Sequence, residues 1–201
     1  MALKAANDNS MSNITALPSG VSAKSMILLA TETASSSSTI SFTSGIDSTY
    51  KEYVFRFYDI HPSENATWFS FQADTGTNTS YNQTITSTWF TAYHNEGGTA
   101  QALSYNTSYD QAQATGFQYI TDRTGTDNDQ TVAGTLHLYD PSNTTFVKHF
   151  TADSMCYEQS DYAAHVFVAG YFNTTTALTR VQFKMNSGDI DAGTIKMYGV
   201  V

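Results

Sequence analysis

Apolar and polar residues alternate with a period of two along most of this chain, the pattern of strands that bury one face and wet the other. In KEYVFRFYDI the side chains of Tyr53, Phe55 and Phe57 fall on one face and those of Glu52, Arg56 and Tyr58 on the other. WFSFQAD sets Phe69, Phe71 and Ala73 against Trp68, Ser70 and Gln72, and RVQFKM sets Val181, Phe183 and Met185 against Arg180, Gln182 and Lys184. Runs of the same kind are MILLAT, TISFT, ITSTWFTAYH, FQYIT, VAGTLHLYD, FVKHF, AHVFVAGYFN and the closing GTIKMYG, whose Ile195 and Met197 are expected in the core. Between them stand SGIDS, HPSEN, DTGTN, DPSNTT and NSGDIDAG, dense in the residues that turns require. About ten such strands with no long helical period predict an all-β fold. The expected architecture is an antiparallel two-sheet β-sandwich, jelly-roll-like, forming a single domain over residues 26–201.

Two stretches break the alternation. Residues 1–25 are small and polar, with Pro18 and Gly20, and read as an N-terminal arm outside the core. NEGGTAQALSYNTSYDQAQATG reads as one long surface loop, in which SYDQAQA is expected to form a short helix capped by Ser108. Asp189 and Asp191, in GDIDAG, are expected to open a final hairpin.

At 201 residues the chain is long enough to bury a full core, and Cys156, its only cysteine, leaves no internal disulfide and no cysteine metal cluster. Charged residues make up 13%, well under the usual quarter, whereas Thr and Ser number 30 and 22, so the wetted faces are built of hydroxyls and amides. A formal net charge of -9 without any basic run argues against a nucleic-acid partner. SMILLAT is too short to cross a membrane, and the first residues lack the apolar core of a signal peptide, so synthesis in the cytoplasm is expected. The Asn-x-Ser/Thr sequons are then discounted, since they arise by chance in so hydroxyl-rich a chain.

His61, His94, His137, His149 and His165 fall on different predicted strands with no metal-ligand spacing, and no nucleophile elbow accompanies the serines. Glu96, Glu158 and Asp161 are the carboxylates a glycosidase would have to bring together, and no motif marks them. These residues read as a non-enzymatic protein without a cofactor. DRTGTDND places Asp122, Asp127 and Asp129 in one turn, which calcium coordination and Asx-turn chemistry both account for. Trp68, Trp89, Tyr58, Tyr198, Tyr105 and Tyr109 are the candidate contacts for a glycan or a protein, because aromatic rings offer flat apolar area with a polar rim. Tyr58, Tyr139, Tyr171 and Tyr198 fall on the less apolar phase of their strands, and burial against protein neighbours is the stronger expectation.

ISFTSGIDSTYKEYVFRFYDIHP, AYHNEGGTAQALSY, TLHLYDPSNTTFVKHF, VAGYFNTT and IDAGTIKMYG together resemble small all-β virion structural proteins of tailed bacteriophages that infect aquatic bacteria. The resemblance runs from about Ile27 to Tyr198, and STYKEYVFRF with the terminal Gly-Thr-Ile-Lys-Met-Tyr-Gly are its most specific parts. It implies a phage structural protein without saying where on the particle it sits. The small single domain, the N-terminal arm and the acidic charge favour a capsid decoration protein on the outer head shell, and the alternative is a tail-fibre head that recognises a host surface polysaccharide. No catalytic residue carries over. The partners it implies are the major capsid protein and further copies of this chain, with a trimer expected because symmetric sites recruit symmetric copies.

Overall fold

A computed structural model describes residues 25–201, where the alternating runs become thirteen strands and no helix among the described residues. In chain order these are β1 (Met26–Ser37), β2 (Ile40–Phe42), β3 (Glu52–Pro62), β4 (Phe69–Thr75), β5 (Ile85–Asn95), β6 (Gln101–Tyr105), β7 (Ala112–Ala114), β8 (Gln118–Tyr119), β9 (Val132–Tyr139), β10 (Lys148–Glu158), β11 (Tyr162–Phe172), β12 (Leu178–Met185) and β13 (Ile190–Val200). The arm read over residues 1–25 lies, Ser25 apart, outside the described residues.

The strands form two antiparallel sheets. One has nine strands in the order β1-β13-β3-β9-β10-β11-β5-β6, with β7 pairing the same edge of β5 as β6, and the other runs β2-β12-β4-β8. Without β5 to β7 and β10 to β11, the remaining strands order as β1-β13-β3-β9 and β2-β12-β4-β8. The first of these eight strands then neighbours the last, and the second neighbours the seventh, which is the order of two interlocked Greek keys, a jelly roll. The two insertions pair with each other through β11 and β5 and widen the larger sheet.

Between the sheets lies an aromatic core. Phe42, Phe55, Phe57, Phe69, Phe71 and Phe183 are buried, with Phe57 and Phe69 5.4 Å apart edge to face and Phe69 stacked on Phe183 at 5.5 Å. Phe71 meets Phe150 at 5.0 Å and so ties the smaller sheet to the inserted strands. Each such pair adds about 0.5–1.5 kcal/mol beyond the area it buries. Ile195 and Met197 are buried as expected, on a β13 that has β1 on one side and β3 on the other.

Four expectations are corrected. β12 and β13 belong to different sheets, so the segment between them is a crossover and no hairpin, with Asp189 at its end and Asp191 already within β13. Ser70 and Gln72 are not on a wet face: β4 is buried on both sides, because residues 108–119 fold over it and Gln72 Nε2 donates to the carbonyls of Gln83, Thr115 and Gly116. NEGGTAQALSYNTSYDQAQATG is no continuous loop, since Asn95 caps a tight turn through Thr99 and Ala100 N–H groups and β6 and β7 then pair with β5. SYDQAQA is no helix either. Its backbone is bound elsewhere: Ser87 N–H donates to the Gln111 carbonyl at 3.0 Å, Gln111 N–H donates to Ser87 Oγ at 2.9 Å, and the Tyr109 carbonyl accepts from the buried Gln118.

Candidate functional site

Nine large apolar side chains are exposed among the described residues, and the register places seven of them on one surface, the outer face of the nine-stranded sheet. They are Leu28, Tyr58, Phe90, Leu103, Tyr105, Tyr139 and Met155, with Leu103 at 72% and Met155 at 53% exposure. Among the described residues no second layer covers this face, because the smaller sheet packs on the opposite side. One ladder row reads Lys196, Arg56, Thr135, Asp153, Phe167, Phe90 and Tyr105 across seven neighbouring strands. Its cationic end and its aromatic end are therefore separated by the width of the sheet.

The cations sit on rings. Arg56 lies 5.7 Å from the Tyr198 ring centre and the Lys196 ammonium 5.8 Å from that of Tyr58, so each aliphatic stem and tyrosine ring form one amphipathic surface. A bulge where β13 slips against β3, with Gly193 at φ +124 and Asp59 at φ +51, carries Tyr58 and Asp59 outward together. At the other end Phe90 stacks on Phe167 at 5.0 Å, and His165 lies against Phe167 and reaches Asp153 at 2.7 Å. Phe90, Thr135, His137, Tyr139, Asp153 and Phe167 line a shallow depression of about 460 Å³ between these ends.

Of the six aromatic candidates, three stand on this face and three do not. Tyr58, Tyr198 and Tyr105 are on it, and the hydroxyl of Tyr105 is 2.5 Å from Asp110, a hydrogen bond that pushes its pKa up. Trp68, Trp89 and Tyr109 instead form one cluster on the inner side, with Tyr109 4.9 Å from Trp89 and 5.4 Å from Trp68. Trp89 is fully buried and is corrected from a surface contact to a core residue, and Trp68 is half-buried, stacked on Tyr119. The cause is phase. In TWFT two large aromatics are adjacent, alternation cannot say which faces in, and pairing with β11 turns Trp89 inward and Phe90 outward.

The other candidates are scattered. His137 pairs with Glu52 at 2.5 Å and His61 approaches Asp191 at 3.8 Å, while His94 contacts its neighbour's carbonyl. The Tyr157 hydroxyl lies 3.0 Å from Glu96 and 3.2 Å from Asp161, and these bonds, Glu96 foremost, push its pKa well up. Glu158 points away from both to the inner face, so the three carboxylates do not share a cleft. Asp122 accepts its own turn's Arg123 N–H and the Asp127 carbonyl accepts from Gln130, which is Asx and turn chemistry, and no group of three ligating side chains able to hold a metal occurs among the described residues. Phe90, Phe167 and Met155 are surface residues the sequence reading missed, whereas Tyr139 is exposed as the phase of its strand predicts.

Comparison with known protein families, with curated proteins and with solved structures returns no match.

Proposed function

We propose that this chain is a non-enzymatic structural protein of a tailed-phage virion, bound as a homo-oligomer to the outer head shell as a capsid decoration protein. The observation that carries the reading is the outer face of the wide sheet, which holds seven of the nine exposed large apolar side chains among the described residues, with no other described layer above them. Large apolar side chains left exposed together on one face mark a surface that meets a partner. Aromatic, Met and Arg side chains are the residues enriched at the centre of such interfaces, and Tyr58, Tyr198, Phe90, Tyr105, Met155 and Arg56 supply them here. The jelly roll supports the same reading, since it is a recurrent architecture of virion proteins. The net charge of -9 suits a location away from DNA.

A second reading is a tail-fibre head, in which the stacked Phe90 and Phe167 pair with Tyr105 would offer flat rings to a host polysaccharide. The two readings differ in stoichiometry. In virions of the phage that encodes the chain, quantitative mass spectrometry is expected to find a copy number comparable with the major capsid protein. A few copies per particle would move the protein to the tail, and absence from purified virions would reject both.

A further inference from the structure

The inserted strands end in a pocket of about 290 Å³ on their inner side, at the mouth of the sandwich, which the outer-face reading does not use. Its floor is Ala164, a side chain small enough to leave the space open. Tyr93 and Tyr162 stand beside it with ring centres 5.5 Å apart and planes at 73°. Register explains the grouping: Ala164 pairs with Tyr93 across β11 and β5, and Tyr162 pairs with Glu158 across β11 and β10. Asp122 and Arg123 close the top. They are fixed there because Thr124 bridges to both Thr67 and Glu158, and because Gln159 N–H donates to the Arg123 carbonyl at 3.1 Å.

Glu158 is the informative group. It is 4% exposed, and its Oε2 accepts the Ser160 N–H at 2.7 Å. Its Oε1 lies 3.4 Å from Arg123 Nε and receives no hydrogen bond. A buried carboxylate oxygen without a donor is costly and rare, and calls for a reason such as a ligand that brings the donor. Burial also holds the Glu158 carboxyl above its usual range.

We propose that this pocket binds one hexose unit of a saccharide. Glu158 Oε1 and the Asp122 carboxylate accept from sugar hydroxyls, Arg123 donates to a hydroxyl or ring oxygen, and a tyrosine ring packs against the apolar face of the sugar. Other ligand classes fit less well. Two carboxylates repel a phosphate, a cationic amine would face the Arg123 guanidinium, and the pocket lacks three ligating carboxylates or imidazoles for a metal among the described residues. A neutral polyol matches a wall that alternates acceptors, a donor and aromatic area.

The inference does not rest on a head or tail location. Saturation-transfer NMR on the full chain, with free D-glucose, D-galactose, D-mannose and N-acetyl-D-glucosamine as probes, tests it. At least one sugar is expected to receive saturation on its ring protons, with Kd on the order of 1 mM for so open a single-sugar site. Tyr162→Ala and Glu158→Gln should each weaken that binding about tenfold or more, with the β-sheet circular dichroism unchanged. Silence from all four sugars overturns the proposal, as does binding that survives both substitutions. Calcium chloride shifting the Tyr93 and Tyr162 resonances while no sugar does would assign the pocket to a cation and overturn it equally. None of these outcomes alters the copy number in virions.

Discussion

Cys156 sits on the inner phase of β10, opposite Ala164, and burial pushes its thiol up to about 12. Only the thiolate is nucleophilic, so at pH 8 about one molecule in ten thousand carries the reactive form, and that form is shielded as well. An aromatic disulfide reagent is therefore expected to leave the native protein unlabelled for hours and to label one thiol per chain once guanidinium unfolds it. Rapid native labelling would contradict the burial. Glu158, two residues on, is held above its ordinary value of 4.5 chiefly by the same desolvation, which outweighs the Ser160 N–H and the Arg123 charge. A carboxyl raised in the folded state binds more protons folded than unfolded, so its contribution to stability is greatest below pH 4.5 and is lost as pH rises through the raised folded value. Glu158→Gln removes the ionisation and keeps the shape. The variant should melt above the wild type at pH 7, with the difference shrinking as pH falls towards 4. A wild type that melts higher at both pH values would show that the Arg123 pair, and not desolvation, governs this site.

At the scale of elements, alternation made most strands legible, because each buries one face and the polar face is cheap to leave wet. Val181, Phe183 and Met185 are buried where the pattern puts them, as are Tyr53, Phe55 and Phe57. What the pattern could not reveal depends on pairing at long range. β6 is exposed at all five residues and is held chiefly by ladder bonds to β5, so it carries no hydrophobic period. β4 is polar on one phase and still buried, because Gln72 and Asp74 satisfy the backbone of the loop that covers them. Lys148 was equally hidden: it is the first residue of β10 on the core phase, and its ammonium donates to the Phe146 and Thr174 carbonyls, joining two connections. The site followed the same division, with Tyr58 and Tyr198 found by phase and Trp89 misplaced by it. Two substitutions probe the elements. A Cβ at Gly170 would stand 2.6 Å from both Phe150 Cζ and the Thr86 carbonyl, so Gly170→Ala should cost about 1–3 kcal/mol in urea unfolding. Met197→Asp places a carboxylate in the middle of β13 with no partner, a penalty of several kcal/mol against a total stability of about 5–15. That variant is expected to be insoluble, and a soluble protein with the wild-type melting temperature would refute the burial argument.

For the whole molecule, the wide sheet poses a problem that the jelly roll alone does not. Eight strands in two sheets of four would cover each other, but the insertions extend only one sheet, and its outer face gains Phe90, Leu103, Tyr105 and Met155. Large apolar side chains are costly to leave wet, and the proposed homo-oligomer would bury them against identical copies. Leu103 and Met155 lie on one row of the ladder, through Ala92 and His165, and both are exposed in the monomer. Replacing both with Asp should therefore leave folding intact, with a melting temperature within a few degrees of wild type. It should also remove about 1.5–3 kcal/mol of burial at each side chain that an interface covers, repeated at every contact of a ring. In sedimentation velocity the wild type is expected as a trimer and the double variant as a monomer, and capsid shells incubated with the variant should lose its band after pelleting. A monomeric wild type that still coats shells would move the face from self-association to the capsid contact. A double variant that assembles and coats shells as the wild type does would remove the face, and with it the main physical support for a decoration role.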